Sequence, residues 1–160
     1  MNYITPVDFP TVPSNLLDSV DDILYRYEKL SFTNTSRKTF SIAEDAPAYD
    51  FTRRDVNPDL VEWVKNNIPF KLAPQYQIIT TDLPIHKDRT IFSYNYFIST
   101  GGANVLTNVF DDNYAVIQSV RIPELEWYRL SSLQFHSVTG VEPNQYRIAL
   151  SLRMINNLGG

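Results

Sequence analysis

Residues 133–154 read LQFHSVTGVEPNQYRIALSLRM. Two runs within it, 133–138 and 146–154, carry alternating apolar, aromatic and β-branched residues, and Gly140 and Pro143 break the chain between them. This pattern predicts two strands joined by a turn. Upstream the same character recurs at 76–81, 90–100, 105–110, 114–121 and 127–130, punctuated by Pro84, Gly101-Gly102, Asp111-Asp112-Asn113 and Pro123. Asp111-Asp112-Asn113, between two strand-like runs, reads as a hairpin turn. Seven or eight short strands at this spacing predict a double-sheet jelly roll of two packed antiparallel sheets rather than βαβ units.

The first 74 residues are different in kind. Ser14 can cap a helix running through Leu16, Leu17, Val20, Ile23, Leu24 and Tyr27, apolar positions three and four apart. A second helix is signalled by Asn57-Pro58-Asp59, an N-cap followed by proline at the first helical position, and runs through Leu60, Val61 and Val64 to Pro69. Residues 31–55 are polar, broken by Pro47, and read as short strands or loops over the core. The expected organisation is one domain over 1–160, mainly β with N-terminal helices. In it 1–74 form a helical and irregular support, and 75–154 a jelly-roll core that carries the site. Helices come first and strands afterwards, so the helices should cover one sheet from outside.

Composition narrows the function. With 160 residues, 43% hydrophobic and 20% charged, the chain can bury a core as a globular protein. Its 10 Tyr, 9 Phe and 2 Trp suit pleated sheets. A net charge of −4, with Arg37-Lys38 and Arg53-Arg54 as the only adjacent basic pairs, argues against a nucleic-acid partner. No cysteine is present, which excludes a disulfide framework, a cysteine zinc site and thiol catalysis. No apolar run reaches the length of a membrane span and no leader pattern follows Met1, so the expectation is a cytoplasmic protein without a membrane partner.

The chain has two histidines. His86 lies in Ile85-His86-Lys87-Asp88, and His136 in Phe135-His136-Ser137-Val138, with Arg147 eleven residues further on. In an extended chain, residues i and i+2 point the same way, so His86 and Asp88 can share one metal. Two imidazoles and one carboxylate on strands form the facial triad that holds non-haem Fe(II) with three positions open. An arginine beside it can grip a carboxylate bidentately. Together His86, Asp88, His136 and Arg147 suggest a 2-oxoglutarate-dependent oxygenase. Arg153, six residues along the same strand, is the next candidate cation. A His-x-Asp pair alone is common; the weight comes from the conjunction and from the lack of spare histidines.

The same residues also fit a protein without a metal. His86 could be a loop residue and His136 a hydrogen-bonded partner inside a sandwich, making the chain a non-catalytic jelly-roll binding or structural module. An exposed aromatic row would mark that case. A cupin-type metalloenzyme would need an early histidine pair and a glutamate, which this chain lacks.

The pattern His86-x-Asp88, His136, Arg147 resembles the signature of the Fe(II)/2-oxoglutarate dioxygenases on the double-stranded β-helix fold. Residues 135–138 and 146–151 are similar to the closing strands of its prolyl-hydroxylase-like members, and the resemblance spans roughly 76–154. It implies that His86, Asp88 and His136 bind Fe(II) and that Arg147 pairs with the far carboxylate of 2-oxoglutarate. The implied reaction takes O2 and 2-oxoglutarate, hydroxylates a peptide side chain or small metabolite, and releases succinate and CO2. Tyr76 and Tyr96 correspond to tyrosines that hydrogen-bond the co-substrate in prolyl hydroxylases, although on alternation Tyr96 shares a face with Phe92, Tyr94 and Ile98 and could serve packing instead. Arg89 is expected to pair with an acidic neighbour. Many relatives carry Ser or Thr two residues after the arginine; here Ala149 stands there, with Ser151 two further on. The substrate is expected across a mouth formed near 99–104 and the N-terminal segment.

Overall fold

In the computed structural model, residues 2–31, 41–42, 51–68, 74–88 and 90–155 are described. Their elements are β1 (Ile4–Pro6), α1 (Val20–Ser31), β2 (Ser41–Ile42), β3 (Phe51–Asp55), α2 (Pro58–Asn67), β4 (Pro74–Ile79) and β5 (Leu83–Lys87). There follow β6 (Thr90–Thr100), β7 (Leu106–Phe110), β8 (Val116–Val120), β9 (Trp127–Leu130), β10 (His136–Thr139) and β11 (Arg147–Ile155). They form a large sheet of six strands, ordered β1-β9-β6-β11-β4-β3, and a small sheet of five, ordered β2-β5-β10-β7-β8. The pairings are antiparallel. This is the expected jelly roll.

Alternation sorts each central strand of the large sheet into two faces. Phe92, Tyr94, Tyr96 and Ile98 of β6, with Ile148, Leu150 and Leu152 of β11, pack on Ile23 of α1 and on Leu60 and Val64 of α2. The opposite face, with Phe97 and Ala149, turns to the small sheet and meets Val109 of β7. The helices thus cover one sheet from outside, and the cavity lies between the sheets. A polar side chain closes one flank: Gln118 Oε1 accepts from the backbone N–H of Tyr3 (2.8 Å) and Ile4 (3.0 Å), and Nε2 donates to the Ile4 carbonyl (2.9 Å). The amide takes the place of a neighbouring strand and ties the edge of the small sheet to that of the large one.

Three local expectations change. Ser14 opens only a short 3-10 turn, Ser14–Leu16. The helix starts at Val20, where Ser19 Oγ accepts from Asp22 N at 3.1 Å. Ser19-Val20-Asp21-Asp22 offers both a cap and acidic residues against the helix dipole, which Ser14 does not. Asn57 does cap α2, its Oδ1 accepting from Leu60 N at 2.8 Å. The second is β1, a strand of the large sheet at 4–6 where none was expected, whereas β2 and β3 fall in 31–55, which was read as short strands or loops. The third is β5, a strand where a connection was expected, since Pro84 near its start masks a run that fits an edge of pairing. Pro69, the expected end of α2, and Arg89 lie outside the described residues.

Candidate metal centre

His86 and His136 face each other across the β5–β10 ladder as register partners, and their rings stand 4.3 Å apart. Asp88 follows β5 directly, its backbone N–H donating to the Ser132 carbonyl at 3.0 Å. Its carboxylate meets both rings: Oδ1 lies 3.5 Å from His86 Nε2, and Oδ2 3.6 Å from His136 Nε2. The imidazoles are 3% and 4% exposed. Burial so complete needs the polar atoms accounted for, and one local device does so at both rings.

His86 Nδ1 donates to the Pro84 carbonyl at 2.6 Å, and His136 Nδ1 donates to the Gln134 carbonyl at 2.7 Å. In each case the acceptor lies two residues back on the same extended segment. A carbonyl only accepts, so these bonds place the proton on Nδ1 and leave the Nε2 lone pair facing Asp88. Burial, then the neighbouring His136, push the His86 pKa down to about 4 against the opposing pull of the Pro84 carbonyl and Asp88. His86 is therefore neutral at neutral pH, the form that ligates a metal.

Three acceptors thus converge, with the ligand atoms of His86, Asp88 and His136 within 4.8 Å of one another. Lone pairs gathered in this way repel unless a cation stands among them. The set of two imidazole nitrogens and one carboxylate oxygen fits a divalent first-row ion such as Fe(II), and the backbone bonds to both Nδ1 atoms fix ring orientation as outer partners of metal-bound histidines do.

The triad opens into a cavity between the sheets of about 740 Å3, its mouth included. Arg147, at the start of β11, lines it too. Its guanidinium donates from Nη2 to Thr107 Oγ1 at 2.7 Å and lies 4.1 Å over the Phe97 ring. Arg147 is 3% exposed, and among the described residues no carboxylate stands within ion-pair distance. Burial alone pulls its pKa down, to about 9, so the cation persists at neutral pH. A buried charge without a counterion is costly, and such a group marks an anion-binding position. Gly101 (φ +86°) turns the chain beside it, and a Cβ there would stand 3.0 Å from Arg147 Cβ.

Tyr76 and Tyr96 are not brought to this cavity. Both belong to the helix-side core, on the other face of the large sheet. Tyr76 Oη donates to Asp18 Oδ2 at 2.7 Å and accepts from Asp18 N at 2.9 Å. Tyr96 packs on Trp127 with ring centres 5.0 Å apart. Their expected role on the co-substrate is corrected: strand alternation aims them away. In their stead the cavity is lined from the large sheet by Gln77, Ser93, Asn95, Tyr128 and Arg153. Arg153 reaches Asp88, Nη2 to Oδ2 3.8 Å. Alternation along β6 groups Ser93 with Asn95 on the face opposite Tyr94 and Tyr96, and the packing turns that group to the cavity.

No family model matches the chain, and neither does any curated protein. Solved structures match it in fold. AviO1 from Streptomyces viridochromogenes Tue57 superposes with a TM-score of 0.56 at 12% identity, over 95% of this chain and 89% of that one. A Pseudomonas putida prolyl-4-hydroxylase superposes with a TM-score of 0.54 at 12% identity, over 96% and 93%. An oxidoreductase of the 2OG-Fe(II) oxygenase family from Burkholderia pseudomallei covers 89% and 83% at 12% identity, with a TM-score of 0.44. At this identity the likeness is one of fold: the chain is a double-stranded β-helix, built like the prolyl-4-hydroxylase over nearly the whole length of both. No helix among the described residues is long and apolar enough to cross a membrane.

Proposed function

We propose that this protein is an Fe(II)/2-oxoglutarate-dependent oxygenase that hydroxylates a small molecule or peptide side chain, consuming O2 and releasing succinate and CO2. The observation that carries it is one cavity holding both a convergent His86-Asp88-His136 donor set and a buried guanidinium, Arg147, with no carboxylate partner among the described residues. Spacing supports the pairing of the two. Thr107, which holds the Arg147 guanidinium, lies two residues along β7 from Val109, the register partner of His136. That is about 7 Å of strand, a distance a five-carbon dicarboxylate spans.

In this proposal His86, Asp88 and His136 hold Fe(II), which supplies the activation of O2 and the oxidation of substrate when bound with the keto acid. The chain's own share is orientation and exclusion. The Pro84 and Gln134 carbonyls hold both imidazoles in orientation, and burial keeps His86 neutral. Arg147 takes the far carboxylate of 2-oxoglutarate, which supplies its counterion. Phe97, Leu83, Val138 and Ile122 wall the cavity with apolar surface, which keeps water from the reacting groups.

An anaerobic titration with Fe(II) and 2-oxoglutarate tests this. A weak visible charge-transfer band, and succinate formed on admitting air, are the expected results. Absence of both refutes the proposal. The alternative of a non-catalytic jelly-roll module has no support in surface character: Tyr25 and Tyr114 are the only strongly exposed aromatics among the described residues, and they form no row.

A further inference from the structure

The cavity has a second polar surface beside the triad, lined by Ser93, Asn95 and Arg153. Alternation along β6 and β11 turns Ser93, Asn95, Ser151 and Arg153 to the inner side of the large sheet. The register sets Asn95 beside Ser151 and Ser93 beside Arg153. These positions are deep: Asn95 is 7% and Ser151 1% exposed. Asn95 Nδ2 donates to Ser93 Oγ at 3.1 Å, but Asn95 Oδ1 and Ser151 Oγ have no hydrogen-bond partner among the described residues. Turning the amide end for end moves the unmet bond from one atom to the other without removing it.

Buried polar atoms without partners are rare and cost stability, and a ligand that supplies the partner explains them. Arg153 adds a cation to this surface. Its only polar contact among the described residues is the 3.8 Å approach to Asp88, which leaves most of its N–H donors uncommitted. Arg147 and Arg153 are six residues apart on β11, about 20 Å of strand, so the two cations serve opposite ends of the cavity.

Building on the oxygenase proposal, we infer that this surface seats the compound to be oxidised, and that the compound is a small zwitterion of the amino-acid class. Its ammonium group donates to Asn95 Oδ1, its carboxylate pairs with Arg153, and its carbon chain extends toward the triad. A prolyl side chain within a peptide fits poorly. It brings neither a donor nor a charge and would leave Asn95 Oδ1 buried and unpaired, the situation that polar sites discriminate against most strongly.

The test loads the protein anaerobically with Fe(II) and 2-oxoglutarate. The free L-amino acids and the doubly blocked N-acetyl-L-proline amide are then added one at a time. At least one free amino acid should shift the visible band and, in air, speed succinate formation, while the blocked proline does neither. Asn95→Ala should weaken that amino acid about tenfold or more, the scale of one charge-assisted hydrogen bond, with the 2-oxoglutarate titration unmoved. The inference is overturned if the blocked proline acts and no free amino acid does. It is equally overturned by silence across the whole panel with the band intact, or if Asn95→Ala weakens 2-oxoglutarate itself. A wild-type protein without any band would sink the oxygenase proposal instead. Calorimetric titration of the same amino acids into metal-free protein would then decide this inference, binding supporting it and no binding overturning it.

Discussion

Replacing Arg147 with Met should move stability and co-substrate affinity in opposite directions. The guanidinium is buried with one strong hydrogen bond, to Thr107 Oγ1 at 2.7 Å, a long approach to the Thr100 carbonyl at 3.5 Å, and the Phe97 ring beneath it. In the metal-free protein its charge has lost its water and meets no carboxylate among the described residues. Substituting well-packed apolar side chains for buried ionic groups is commonly neutral or stabilising, by about 1–4 kcal/mol. Taking the low end, about 1 kcal/mol corresponds to roughly 2–4 °C in Tm for a chain of this size. With 2-oxoglutarate bound, the same guanidinium holds a desolvated carboxylate, and truncating such a pair costs about 2–5 kcal/mol. At about 1.4 kcal/mol per decade, that is a loss of roughly 30-fold or more in 2-oxoglutarate affinity. Differential scanning fluorimetry on metal-free protein and titration of the visible band measure the two. Arg147→Lys should fall between, since the charge remains while the fork is lost. A Tm several degrees lower with unchanged 2-oxoglutarate affinity would refute the reasoning and make Arg147 a structural residue.

Asp88→Ala should abolish iron retention and succinate formation while the metal-free protein stays folded, because the backbone bond from residue 88 to the Ser132 carbonyl does not need the carboxylate; retained turnover would break the triad assignment. Tyr76→Phe should cost about 1 kcal/mol by loss of its hydrogen bond to Asp18, a Tm shift of a few degrees, and neither it nor Tyr96→Phe should change the KM for 2-oxoglutarate. A rise in that KM would return the tyrosines to the co-substrate. Gly101→Ala should cost about 1–2 kcal/mol for a side chain in the left-handed region, and it should weaken 2-oxoglutarate, since the new Cβ crowds Arg147. A Tm drop without any change in affinity would separate the turn from the arginine's placement.

Local chemistry made much of this protein legible before any folding. Strands at 90–100 and 127–130 follow from β-branched and aromatic runs ended by glycine, proline and acidic turns, and β6 and β9 occupy those positions. The spacing of His86 and Asp88 needs only an extended backbone to put both on one side. The Asn57-Pro58 start of α2 is equally local, because a cap and its N–H acceptor lie within one turn. What sequence could not decide was which face of a strand looks inward. Both faces of β6 carry aromatic residues, so alternation separates Tyr96 from Asn95 without saying which one meets the cavity. The helices decide it: α1 and α2 bury the more apolar face, including Tyr76 and Tyr96, and leave Ser93 and Asn95 to the inner side. The closeness of His86 to His136, fifty residues apart in the chain, rests on the β5–β10 pairing, and the separation of Arg147 from the carboxylates of the described residues on the whole packed interior. Such facts depend on contacts distant in sequence, which no local spacing encodes and only tertiary packing creates.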